Sequence, residues 1–396
     1  MDELRLRALR NGGLAALLTL LVGSGIVAAV SDGGPSATGP SPSPSPTSSP
    51  TAPVCVPSWE QVASADPSEA SNALLAVTAI SAGEAWAVGA TGLDPLTPIT
   101  ALVQRWDGTA WTAVEAPSPG SERNELLAVD ASEPNDVWAV GRTASGFGDR
   151  PLAIRFDGTA WTEVELPSEV TGVLTGVSAI SPTDVWIVGY TGEPAASLER
   201  ALLLHWDGAL WAVVDPGRAV GRGRSLLHDV VAISPTDVWA AGYLRNDRPL
   251  VIRFDGQAWS RSEIDGRGAL IAIEPVATTE AWAVGAGIRR FDGVAWEEPT
   301  PASRGGELRG VAAVVPADVW AVGSHPTPDG TSTRGFALRW NGQRWQLASA
   351  PRVPGSEAFT GVDALPDGTV LAVGHRDVAA GRRTFAAIGR TCPPGT

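Results

Sequence analysis

Side chains able to do chemistry are few in this chain, and they are scattered. Four histidines, His205, His228, His325 and His375, stand without metal-ligand spacing and without a nucleophile motif beside them. Calcium loops of the alternating-Asp kind are absent, so neither a metal nor a cofactor is implied. Two carboxylates for sugar hydrolysis can come from distant parts of a chain, but nothing singles out a pair here. One position does draw attention. Both tyrosines, Tyr190 and Tyr243, directly follow the glycine of a Trp-x-x-Gly motif, and the equivalent position elsewhere holds Ala90, Arg142, Ala286, Ser324 or His375. Between the tyrosines runs a basic loop, 218–224, followed by His228. Arg142, Tyr190, Arg224, His228, Tyr243 and His375 are therefore expected to form part of a ligand-contacting ring, using aromatic faces and planar donors. The alternative is that the tyrosines cap strand ends, where a polar-tipped aromatic is well suited.

These positions are set by a repeat. Near-copies of SPTDVWIVGY (181–190) recur seven times, with signature residues Trp86, Trp138, Trp186, Trp239, Trp282 and Trp320, and Leu371 in the seventh copy. Between copies lies a second signature, RWDGTAW from Arg105 and its relatives from Arg155, His205, Arg253, Arg290 and Arg339. Signature residues are 38 to 53 positions apart, a range that suits four-strand propeller blades. Each unit reads as four short strands, and Asp-Gly pairs such as Asp157-Gly158 read as two-residue hairpin turns. The glycine of Trp-x-x-Gly reads as a bend or a close approach. Asp136, Asp184, Asp237, Asp318, Glu84 and Glu280 recur two residues before Trp. A catalytic group is needed once, so these acids and the basic residues of the second signature are expected to pair and hold the blade together.

The seventh unit lacks a fourth strand. Ser58-Trp59-Glu60-Gln61-Val62 resembles the fourth-strand pattern and stands alone before the first unit, so it is expected to pair beside 385–390. The fold class that results is all-β, a seven-bladed β-propeller closed by an N-terminal strand. Cys55 and Cys392 flank these strands and in an oxidising compartment would form a disulfide clasp, worth about 4 to 5 kcal/mol on the chain-entropy model; the alternative is two unpaired cysteines.

Charged residues make up only 18% of the 396, with 45 glycines and 16 tryptophans, as in turn-rich β structure. All 29 basic residues are arginine. A net charge of -14 argues against nucleic-acid binding, which needs a basic surface. Arginines 5, 7 and 10 precede an uncharged apolar run, 13–30, which at ~1.5 Å per residue is about long enough to cross a bilayer. It is read as a transmembrane anchor or a cleaved signal peptide, with 1–12 cytoplasmic and the rest extracytoplasmic. A Pro/Ser-rich linker, 31–53, leads to the propeller domain, 54–396.

The D-V-W-A-V-G and D-G-x-x-W motifs over 54–396 resemble extracytoplasmic bacterial β-propellers of the broad kelch, Asp-box and photosystem-stability-factor type. The chain departs from each subtype: the kelch Gly-Gly doublet is missing, and Asp107-Gly108 is adjacent where an Asp box separates the two. What the resemblance implies is fold and use as a ligand platform. In blades of this order, the loops joining second to third strands and blade to blade share one rim, and these are the loops that vary in length. The expectation is a monomeric, non-catalytic recognition domain tethered to the membrane, with a protein or cell-envelope glycan on that rim. The runner-up is a propeller enzyme acting on carbohydrate, a glycoside hydrolase or lyase.

Overall fold

The computed structural model describes residues 58–93, 97–146, 148–192, 199–299, 306–348, 350–351 and 355–390. The segment 1–12, the apolar run 13–30, the linker 31–53 and both cysteines, Cys55 and Cys392, lie outside them. Among the described residues no helix is long and apolar enough to cross a membrane, and the one helical element is a short 3-10 turn, Gly217–Ala219.

Seven four-stranded antiparallel sheets form the blades of a β-propeller. In six of them sheet order follows chain order: blade 1 spans 72–114, blade 2 123–163, blade 3 173–213, blade 4 225–261, blade 5 270–297 and blade 6 307–348. Blade 7 draws three strands from 356–390, and its fourth is Ser58–Val62, which pairs antiparallel with Gly381–Arg390 from Ser58 opposite Arg390 to Val62 opposite Ala386.

The repeated polar residues build the joints between blades. Within each of blades 1 to 6 the second-strand acid meets the third-strand base at 2.6 to 2.9 Å, as in Asp237 with Arg253 and Asp184 with His205. The base lies over the signature Trp of its own blade: five guanidinium carbons sit 4.4 to 5.6 Å from the ring centroid, and His205 stacks on Trp186 at 4.2 Å. That Trp is buried and meets, edge to face, the fourth-strand Trp of the next blade, with centroids 5.1 to 6.3 Å apart and planes at 71 to 89°. Each contact adds about 0.5–1.5 kcal/mol beyond the area that it buries. The joint between blades 7 and 1 is different: Leu371 occupies the Trp position and packs in one cluster with Trp111.

The Asp-Gly turns are shifted by one residue from the expected pair. Phe156 is opposite Trp161, and the Asp157 amide reaches the Ala160 carbonyl at 3.4 Å, so the two loop residues are Gly158 and Thr159. Gly158 has φ 95° at the first central position, which suits glycine. Asp157 instead caps the turn, its Oδ1 accepting from the amides of Thr159 and Ala160 at 2.8 and 3.0 Å.

Every first strand carries a β-bulge one residue after its buried Leu or Phe, between Leu74 and Ala76 in blade 1 and at the equivalent place in the other six. The Trp-x-x-Gly glycine lies opposite. A Cβ on Gly242 would overlap the Leu226 carbonyl oxygen, and each of the other six glycines meets in the same way the carbonyl of the residue before the buried Leu or Phe. The glycine is therefore what lets the bulged strand approach.

Candidate functional site

Each bulge turns one side chain toward the propeller axis. Leu75, Leu127, Thr175, His228, Ile271, Arg309 and Thr360 surround a cavity of about 330 Å³, with Asp229 and small residues such as Ala76 and Gly310 beside them. Because the bulge adjoins the Trp-x-x-Gly glycine, this ring lies toward the rim that carries the variable loops. The residues around it scarcely change: a buried Leu or Phe precedes it in every blade, and Val or Ile follows two residues later.

Five of the six residues expected to contact ligand gather over blades 2 to 4, and one of them, His228, lines the cavity. Arg142 is held by Glu125 (Nε to Oε2 2.8 Å) and by Asp149 (Nη1 to Oδ2 3.0 Å), and Arg123 reaches the other oxygen of Asp149 at 3.1 Å. Burial opposes the charge on Arg142, but these carboxylates outweigh it and raise its pKa. Arg224 forms a two-pronged pair with the buried Glu199, at 2.7 and 2.8 Å, and its Nη2 also reaches the Tyr243 hydroxyl at 3.2 Å. Hydrogen bonding from Arg224 holds the Glu199 carboxyl below its ordinary range.

Tyr243 is partly exposed, but its ring already has two protein neighbours. The His228 ring stacks against it at 5.5 Å and 26°, and the Arg224 guanidinium lies 5.2 Å from its centroid. The expected aromatic platform is thus occupied by protein, and Tyr243 serves to orient Arg224 and His228. Tyr190 is half-buried in the fields of Arg142, Asp149, Tyr243 and Glu199, and its hydroxyl has no hydrogen-bond partner among the described residues. Burial raises the pKa of both phenols.

His228 turns into the axial cavity, where burial, with help from the Arg309 charge, lowers its pKa to about 4. The imidazole is therefore neutral at pH 7, one nitrogen donating and the other accepting, and neither has a protein partner among the described residues. His375 sits apart on blade 7. Burial, then the charge of Arg382, lowers its pKa to about 4, and its Nδ1 is buried with no hydrogen-bond partner among the described residues. The ring expected from the sequence is therefore an arc over blades 2 to 4, with His375 outside it.

Asp229 follows His228 at a position held elsewhere by Ala or Gly. Its oxygens accept the amides of Val230 (2.8 Å) and of Ile273 in the next blade (2.9 Å), while burial pushes its pKa up to about 7. Sequence reasoning missed this residue, the acids Glu125, Asp149 and Glu199, and the axial ring. A usable signal for the ring was present: the tetrads LLAV, LLAV, LTGV, LHDV, LIAI, LRGV and FTGV differ chiefly at their second residue. Among the described residues no group of three or more His, Cys, Asp or Glu is arranged to hold a metal.

No family model and no curated sequence matches the chain. Solved structures do. YCF48 bound to D1 peptide is similar over 88% of this chain and 99% of its own, with TM-score 0.56 and 16% identity. The WD40 β-propeller domain of Doa1 is similar over 85% and 98%, with TM-score 0.55 and 11% identity. The GH74 xyloglucanase from Xanthomonas campestris is similar over 83% of this chain but 55% of its own, with TM-score 0.51 and 15% identity. At such identities the likeness is one of fold, and that fold is the seven-bladed β-propeller.

Proposed function

We propose that the chain is a non-catalytic recognition propeller that binds a protein segment on the variable-loop rim over blades 2 to 4. One observation carries this reading: on a rim where Arg142 and Arg224 are locked by carboxylates, the Tyr190 hydroxyl and the His228 imidazole are positioned polar groups with no hydrogen-bond partner among the described residues. A rigid scaffold presenting such groups loses little entropy on binding. The similar structures add general support, since one holds a D1 peptide. An enzymatic reading through paired acids gains nothing from the described residues, because Glu125, Asp149 and Glu199 are ion-paired to arginine and Asp229 holds two main-chain amides. A glycan remains the second ligand class to test.

The propeller belongs, in this reading, to the broad kelch, Asp-box and photosystem-stability-factor group and works outside the cytoplasm as a monomer. The apolar run 13–30 tethers it, the linker 31–53 holds it off the membrane, and Ser58–Val62 closes the ring with Cys55 and Cys392 bridged behind it. Peptide and glycan arrays probed with the wild type and with Tyr190→Ala/His228→Ala test the rim. Capture of a peptide set that the double variant loses, at an unchanged melting temperature, is expected; equal capture by both proteins refutes the rim. Protease protection in intact cells and peptide mapping without reductant test the tether and the bridge.

A further inference from the structure

In a chain whose blades repeat nearly residue for residue, the bulge position is free to vary, because the bulge lifts its side chain out of the packed face and toward the axis. Variation there costs no core contact, so what occupies the ring reports on what the channel meets. Leu75 and Leu127 make one apolar wall, with Ile271 across the cavity. Thr175 and Thr360 already donate their hydroxyls to the carbonyls of Leu227 and Leu74, both at 2.7 Å. The polar groups left for a ligand are the imidazole of His228 and the guanidinium of Arg309.

We infer that the axial cavity is a subsite for one acidic side chain of a peptide ligand, its carboxylate between Arg309 and His228 and its aliphatic stem against Leu75 and Leu127. Arg309 is engaged by Glu307, at 2.8 Å, but that pair is about half exposed on both sides. Exposed pairs contribute little, and a carboxylate entering the half-open cavity, where His228 adds a second donor, competes for the guanidinium on better terms. His228 contributes a neutral N–H donor, oriented by the Tyr243 ring. Asp229 opposes an incoming anion less than its place suggests, because main-chain amides occupy its oxygens and burial favours its neutral form. A sugar acid suits the cavity less well: its hydroxyls need polar partners, and the wall offers chiefly leucine and isoleucine. The inference rests on reading this rim as a ligand platform.

Because the chain has four histidines, long-range proton–nitrogen NMR of the imidazoles can follow His228 directly. The probes are the capped peptides acetyl-Leu-Glu-Gly-amide and acetyl-Leu-Gln-Gly-amide, with glucuronate as a sugar acid, added to the wild type and to Arg309→Gln. The Glu peptide should move the His228 signals and leave those of His205, which sits at a blade joint, in place. The Gln peptide should bind about tenfold more weakly, and Arg309→Gln should erase the difference while its His205 signals keep their positions. Equal responses to Glu and Gln, or a Glu response that survives in Arg309→Gln, overturn the inference. So does glucuronate acting as strongly as the Glu peptide. Silence at His228 alongside array ligands captured through Tyr190 would overturn the subsite and leave the rim standing.

Discussion

The indole of Trp59, near the start of the described chain, meets the indole of Trp320 in blade 6 edge to face, with centroids 5.3 Å apart and planes at 71°. It also lies 6.3 Å from Phe359 of blade 7. Trp59 thus performs for the last blade what Trp161 and its equivalents do in blades 2 to 6. Trp59→Ala should destabilise the propeller by about 3 kcal/mol, within the range for Trp truncation in cores. Urea unfolding followed by the fluorescence of the remaining tryptophans measures it; a loss below 1 kcal/mol, about the size of a surface substitution, would mean that Ser58–Val62 is not part of the core.

The Asp237–Arg253 pair is bidentate, at 2.7 and 2.8 Å, with Arg253 lying 4.4 Å over Trp239. Asp237→Ala and Arg253→Ala should each destabilise, and the double variant should cost about 1 kcal/mol less than their sum. Strict additivity in denaturant melts would show that the two side chains share a neighbourhood but no interaction.

Gly242→Ala should destabilise by about 3 kcal/mol or more, since its Cβ would overlap the Leu226 carbonyl and neither backbone can retreat without undoing the bulge. Gly83→Ala serves as the control, because a Cβ there meets nothing within 4 Å. Similar melting temperatures for the two variants would refute the close-approach role.

The titration of the buried ionisable groups has opposed parts. Asp229 is raised from 3.8 to about 7, so the folded state holds a proton that the unfolded chain gives up, and its contribution to stability falls as pH rises from about 4 to about 7. His228 and His375 are lowered from 6.5 to about 4, so their contributions are full above 6.5 and are lost as pH falls toward 4. Between these limits the two histidines outweigh the one aspartate by one proton. Asp229→Asn should therefore steepen the rise of stability with pH by about 1.4 kcal/mol per pH unit, whatever it does to the absolute level. Parallel pH profiles of urea stability in the two proteins would count against the raised Asp229.

Blade number could be read from the repeat, because a period carries that information locally. So could the acid–base pairs, which recur too often to be catalytic. The site was legible in part. Position after Trp-x-x-Gly brought Arg142, Tyr190 and Tyr243 to one rim, but the faces of Tyr243 are taken by His228 and Arg224, a matter of side-chain direction that spacing does not encode. The axial ring stayed hidden for a related reason. A bulge inserts one residue into the strand and breaks the two-residue alternation by which inward and outward positions are told apart, so Arg309 and Thr360 read as ordinary strand residues.

Ser58 faces Arg390, so the two ends of the described chain leave the ring at one corner of blade 7. Tension applied through the N-terminal segment would load the hydrogen bonds of this outermost ladder one at a time, from Ser58 inward, and peel the strand rather than shear it. A pull through the proposed tether would therefore reach the ring by way of this one ladder. Cys55 and Cys392 stand three and two residues beyond that corner in sequence, where a covalent bridge would carry the pull before the first rung of the ladder felt it.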